Sequence, residues 1–123
     1  GDDISYEPEF EALQAEIDKM SVVSAAGEVD WKKVVDLSVT LLAEKGKHLL
    51  VCVYLARGLM ETRQFAGFIL GTQILKDLTA TFWDNLYPPK KRKRGRINAF
   101  KWWYDRAESF LRSLAGGPEQ EEE

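Results

Sequence analysis

Apolar residues recur at intervals of three and four along almost the whole chain, and no stretch alternates between apolar and polar positions bounded by hairpin turns. Such spacing lines side chains up along one side of a helix. The expected class is therefore all-α, with five or so antiparallel helices in a compact bundle or a short helical-hairpin array. At 123 residues the chain fits one domain, and a domain of that size buries about two-thirds of the surface its unfolded form exposes. Hydrophobic residues at 45% and charged residues at 30% lie near ordinary soluble values, which argues against disorder, collagen-like repeats and membrane spans.

The spacing predicts a first helix opening between Tyr6 and Pro8, with Phe10, Leu13, Ile17 and Met20 on one stripe. Ser21 to Val29 reads as a loop, and Asp30 is placed to cap the next helix with its carboxylate. That second helix puts Trp31, Val34, Val35, Ser38, Leu41 and Leu42 on a common face and should end near Gly46. A third, about His48 to Thr62, is apolar on nearly every side, which places it at the centre. The fourth, about Gln64 to Leu86, carries Phe65, Phe68, Ile69, Leu75, Leu78, Phe82 and Leu86. Its Gly67 and Gly71 invite a close helix approach, and Pro88 and Pro89 stop it. A fifth, from Arg96 or Ile97 to Leu114, carries Phe100, Trp103, Ala107, Phe110 and Leu111, with Gly116, Gly117 and Pro118 expected to terminate it. Residues 1–115 thus form the helical domain, and 116–123 read as a flexible acidic linker or tail.

Catalytic chemistry finds little to work with. The single His48 and single Cys52 stand in no metal-ligand spacing, and no phosphate-cradling glycine loop or nucleophile elbow is present, so no metal, cofactor or catalytic residue is expected. His48, opening an apolar helix, reads as a cap or partly exposed residue; Cys52, among Leu50, Val51 and Val53, reads as a buried thiol. An unpaired cysteine and the absence of a signal-peptide pattern suit a cytoplasmic protein.

The most unusual local feature is a basic tract. Lys90, Lys91, Arg92, Lys93, Arg94 and Arg96 place six of the 17 basic residues within seven positions, although the net charge is −3. Glu119, Glu121, Glu122 and Glu123 supply that negative balance from the tail, leaving the rest near neutral. The tract is open to three readings: a merely solvated loop, a docking site for an acidic protein, or a nucleic-acid contact. Trp102 beside it is a candidate partner contact, whereas Trp103 suits the core.

Four stretches carry a resemblance to a known family. They are the opening Asp2-Asp3-Ile4-Ser5-Tyr6-Glu7-Pro8, the helix start Asp30-Trp31, the central Leu55-Ala56-Arg57, and the paired motifs Trp83-Asp84-Asn85-Leu86-Tyr87-Pro88 and Arg96-Ile97-Asn98-Ala99-Phe100-Lys101-Trp102. In that order and spacing they resemble the ImpA N-terminal domain of TssA-like type VI secretion proteins, over Gly1 to Leu114. The resemblance implies a cytoplasmic, non-enzymatic scaffold or adaptor that binds baseplate, tube or sheath proteins. It also implies a separate C-terminal oligomerisation region, with this piece an appended arm that is monomeric or weakly associating alone. A nucleic-acid-binding module, or a membrane-proximal sheath stopper using residues 90–96, is the alternative. Trp31, Trp83, Asp84, Pro88, Asn98 and Ala99 are read as motif residues with structural work, Asp84 pairing with Arg96 and Asn98 bonding backbone near the last helix's start. The tight basic tract departs from the more mixed or acidic stretch of many relatives, so partner contacts need not carry over there.

Overall fold

Proline opens the first helix: Pro8 sits in the first turn of α1 (Pro8–Asp18), where a missing N–H has no partner to lose. The computed structural model of the chain describes residues 3–21 and 28–122, so most of the loop expected over Ser21–Val29 lies outside the described residues, as do Gly1, Asp2 and Glu123. A short 3-10 turn, Lys19–Ser21, ends the first element. Helix α2 (Trp31–Glu44) starts as the sequence predicts, with Asp30 Oδ1 accepting from the Lys33 amide at 3.1 Å. The carboxylate of Glu16 ties the two helices together. It is buried, accepts from the Asp30 amide at 2.9 Å, and meets Lys19 Nζ at 3.0 Å and Lys33 Nζ at 3.7 Å. The Asp30 amide, helped by these ammonium groups, holds its pKa below the usual glutamate value.

Two helices follow, α3 (Leu49–Phe82) and α4 (Lys93–Glu122), giving four α-helices among the described residues rather than five. The difference lies at Gln64, whose backbone (φ 56°, ψ −131°) is not helical and breaks α3 into two legs without ending its run. Gln64 tolerates a left-handed φ poorly, so the turn carries some backbone strain. The legs fold back on each other. A Cβ added at Gly67 would lie 1.8 Å from the Leu59 carbonyl oxygen, and one at Gly71 would lie 2.9 Å from the Ala56 Cα. Positions 56 and 71 would stand about 22 Å apart along a straight helix, so the legs form an antiparallel hairpin in backbone contact. The sequence places glycine at both points of closest approach.

The first leg is the core. Val51, Cys52, Val53, Ala56, Leu59 and Met60 are all buried, joined by Leu13 from α1 and by Val34 and Leu41 from α2. Burial pushes the Cys52 thiol up to about 12, so it remains a protonated hydrophobe. Helix α1 packs on α2, α2 on α3 and α3 on α4, which makes a helical array closed by the hairpin. Trp103 and Ala107 bury against the second leg, where Phe68 stacks on both Trp103 and Phe110 at about 6 Å.

Both ends of α4 differ from the sequence expectation. It starts at Lys93, so the last part of the basic tract is its first turn and not loop. It also continues past Leu114 through Gly116, Gly117 and Pro118 to Glu122. Glycine lowers helix stability by only about 1 kcal/mol per residue, which weakens a helix without ending it. No helix among the described residues is long and apolar enough to cross a membrane.

The contact between the legs generates a test. Gly67→Ala should destabilise the chain by about 3 kcal/mol, at the upper end for overpacking, because its methyl meets backbone that cannot rotate away. Gly71→Ala should have the same sign and a smaller size. Urea denaturation followed by circular dichroism measures both, and an unchanged midpoint for Gly67→Ala would contradict the hairpin.

Candidate docking cleft

Between α3 and α4 the chain turns through residues 83–92, and backbone bonds hold this turn to the start of α3. The Leu49 amide donates to the Tyr87 carbonyl at 2.7 Å, and the Tyr87 amide donates to the Lys47 carbonyl at 2.9 Å. Together they make a short parallel bridge between His48 and Tyr87. The Tyr87–Pro88 peptide is cis. Gly95 follows closely, with room for little more than a hydrogen where a Cβ would stand 3.0 Å from Pro88 Cγ.

Arg96 fastens the turn from the other side. It is only 3% exposed, donates from Nε to the Pro88 carbonyl at 2.7 Å and from Nη2 to the Leu86 carbonyl at 2.8 Å, and lies 4.4 Å over the Trp83 ring. The planar guanidinium suits this work, since its fixed fork reaches two carbonyls while its face stacks on indole. Arg96 is thereby withdrawn from any exposed basic surface. Nor does it pair with Asp84 as the sequence suggested: Asp84 Oδ1 meets Lys90 Nζ at 2.7 Å instead. The reason is reach, since Arg96 points inward to backbone while both Asp84 and Lys90 stand in solvent. That contact, and the Lys90 charge, hold the Asp84 pKa below the usual aspartate value.

Above the fastened turn lies a mainly apolar cleft of about 300 Å³, lined by His48, Leu50, Tyr87, Pro88, Arg92, Asn98, Ala99 and Trp102 among others. Sequence candidates from two separate motifs meet here. Pro88 and Ala99 are buried in its floor, Asn98 stands exposed at its rim, and Trp102 is half-buried, edge-on to Tyr54 at 5.3 Å. Asn98 is exposed and makes no side-chain hydrogen bond among the described residues, so the expected backbone bond is not formed. Arg92 donates from Nη1 to the Tyr87 hydroxyl at 2.9 Å and lies 5.5 Å from that ring's centroid, edging the cleft with positive charge. Lys91 is exposed, and Lys93 and Arg94 are exposed on the first turn of α4.

Trp31 lies elsewhere. Arg57 faces the rings of both Trp31 and Trp102, at 4.8 and 5.8 Å, and bonds Glu61 at 2.7 Å through Nε. One cation thus joins α2, α3 and α4. Three contributors escaped sequence reasoning: Arg57 as that link, Tyr87 as the centre of the turn, and His48 as part of the cleft. Tyr87 sits between two recognised motif positions, which is the signal that was available.

His48 is buried and not partly exposed. Its Nδ1 accepts from the Leu50 amide at 3.2 Å, capping α3, and its ring lies between those of Phe10 and Tyr87 at 5.5 and 4.8 Å. Burial drops its pKa to about 4, against a weaker opposing pull from Asp3, so the ring is neutral at pH 7.

Among the described residues, no group of three or more His, Cys, Asp or Glu side chains could hold a metal ion. The described residues thus form an all-helical array with one mainly apolar, cation-edged cleft beside the turn over 83–92. The family model described as "ImpA, N-terminal, type VI secretion system" matches residues 1–105, and the chain belongs to that family. No curated protein and no solved structure matches it.

Substitutions at Arg96, Asp84 and His48 separate these contributions. Arg96→Ala should lower stability by about 3 kcal/mol, since it removes two charge-assisted bonds and leaves buried carbonyls unpaired. Asp84→Asn should leave the unfolding midpoint in place, because its ion pair lies in water. Acid should also weaken the fold through His48. The unfolded histidine titrates near 6.5 and the folded one near 4, so stability is complete above the first value and falls as pH drops toward the second. The slope should approach about 1.4 kcal/mol per pH unit. His48→Asn keeps a capping side chain, and urea titrations at pH 7 and pH 5 should show a smaller acid loss in that variant.

Proposed function

We propose that this chain is a cytoplasmic, non-enzymatic adaptor of the type VI secretion system, docking a baseplate, tube or sheath protein at the cleft between residues 83–92 and α4. The observation that carries this reading is the convergence of Pro88, Asn98, Ala99 and Trp102 on one apolar hollow edged by Arg92, with Lys90 and Lys91 alongside. An apolar hollow supplies the anchor, and the surrounding cations favour an acidic partner and speed its approach. The first turn of α4 adds to this field. It holds no acidic residue, so the positive end of the helix dipole and the cations reinforce one another at some expense in stability.

Nucleic acid is the second reading, and the basic tract is what favours it. Arg96 is buried and Lys90 already engages Asp84, which leaves fewer free cations than the sequence suggests. Such a contact would weaken steeply with salt. A membrane-proximal stopper role would use the same surface.

Capture experiments with purified baseplate, tube and sheath subunits separate these. Wild type should retain one of them, and Lys91→Glu with Arg92→Glu, or Asn98→Phe at the rim, should weaken capture about tenfold or more without shifting the unfolding midpoint. Retention of the wild-type interaction by both variants would remove the cleft from the docking surface. Failure of a folded wild-type chain to capture any subunit, with DNA or RNA bound at low salt, would favour the second reading.

A further inference from the structure

The carbonyls of Leu86, Tyr87, Pro88 and Pro89 all accept within the chain, in order from Arg96 Nη2, the Leu49 amide, Arg96 Nε and the Arg92 amide. Pro88 and Pro89 have no amide to give, and the Tyr87 amide is bonded to Lys47. Over 87–89 a partner strand therefore finds no donor to pair with, and whatever enters the cleft is recognised by side chains.

The hollow of about 300 Å³ lies at the small end of ligand clefts, so it admits a large side chain and not a helix. Its walls include the rings of His48, Tyr87 and Trp102, over a floor of Pro88 and Ala99. His48 is neutral at pH 7 and its Nδ1 is engaged by the Leu50 amide, so that ring supplies apolar wall and no charge. A nucleobase buried there would leave its edge donors and acceptors without partners, which an aromatic or leucine side chain does not.

Arg92 is the charged group on the lining that carries a full positive charge at pH 7. Its Nη1 donates to the Tyr87 hydroxyl at 2.9 Å, and it makes no other side-chain bond among the described residues. Nε and Nη2, the side-on pair of the guanidinium fork, remain to donate. The acids nearby are occupied: Asp84 meets Lys90 at 2.7 Å, and Asp3 accepts from the Ser5 amide and hydroxyl at 2.9 and 2.6 Å. Lys91, Lys93 and Arg94 stand exposed around it, so the field at the rim is positive. A fork with two donors to spare matches the two oxygens of a carboxylate.

We infer that the cleft accepts a short segment of a partner protein in which a large apolar side chain stands next to a carboxylate, the side chain filling the hollow and the carboxylate accepting from Nε and Nη2 of Arg92. This rests on the docking reading above and adds what the partner must carry. Arg92 is then the residue that selects the partner, while Lys91, Lys93 and Arg94 steer its approach.

Short peptides blocked at both ends test it in nuclear magnetic resonance titrations of the whole chain. One carries Glu-Phe-Glu at its centre, the second Gln-Phe-Gln and the third Glu-Ala-Glu. The first should shift the Trp102 indole and Asn98 side-chain signals and bind in the low-millimolar range, the second about tenfold more weakly, and the third not measurably. Arg92→Gln should erase the difference between the first two peptides and keep the unfolding midpoint, because Arg92 is exposed. Arg92→Lys keeps the charge without the fork and should recover only part of that difference. Equal binding of the first two peptides, binding of neither, full discrimination by Arg92→Lys, or stronger shifts of the same signals by a single-stranded oligonucleotide would each overturn the inference. Docking itself is judged separately: capture of a purified subunit that Asn98→Phe weakens and Arg92→Gln leaves unchanged would keep the docking reading and sink the carboxylate, whereas capture indifferent to both would remove the cleft altogether.

Discussion

The two legs of α3 approach so closely that a hydrogen is the largest substituent their contact admits at Gly67, and the placement of everything after Gln64 follows from that approach. The first leg is enclosed by α2 and its own returning second leg, with Tyr54 reaching Gln14 of α1 and Trp102 of α4. The second leg is left with one face to offer α4, and Phe68 meets Trp103 and Phe110 there. Had residues 67 and 71 carried side chains, the legs would have splayed by the width of a methyl group or more, and the start of α4 would no longer meet the start of α3.

That meeting is what builds the cleft. The turn over 83–92 is bonded to Lys47 and Leu49 on one side and to Arg96 on the other, so it is fixed at both ends by groups distant in sequence. A loop held in this way can present an apolar hollow without collapsing into it, because its polar backbone groups already have partners. Arg96 therefore serves the site from beneath. The tryptophans divide similarly: Trp83 stacks on Arg96, Trp31 and Trp102 face Arg57, and Trp103 is core.

Elements whose signal is local were legible in the sequence: the proline start of α1, the Asp30 cap, the largely apolar first leg, and the glycine pair at the hairpin contact. Apolar spacing reports which side of a helix is covered, and it does so without knowledge of the partner. Side-chain direction across a turn is a different matter. Asp84 and Arg96 are twelve residues apart with opposite charge, which made them a plausible pair; only the fold shows that the guanidinium is turned inward to two carbonyls while Lys90 takes the carboxylate. His48 was legible as a cap but not as part of the cleft, since its neighbours Phe10 and Tyr87 come from opposite ends of the chain. The start of α4 was missed because cations at a helix N-terminus oppose its dipole, so the sequence lacks the usual start signal there.

That last miss carries physical content. A first turn rich in lysine and arginine is unfavourable for the helix alone, and a sequence that keeps it has accepted a local penalty for a field directed outward. The helical twist then distributes the tract: Arg92 edges the cleft, Arg96 is spent inside, and Lys93 and Arg94 stand exposed on the first turn of α4. One run of basic residues is thus divided between the interior, the edge of the cleft and the exposed first turn of α4, so it does not form a single element. The charge left at the edge of the cleft is small, since Arg96 is buried and Lys90 meets Asp84. Docking at the cleft, as proposed, would then rest on the apolar contacts that the charges frame, with electrostatics setting orientation and rate.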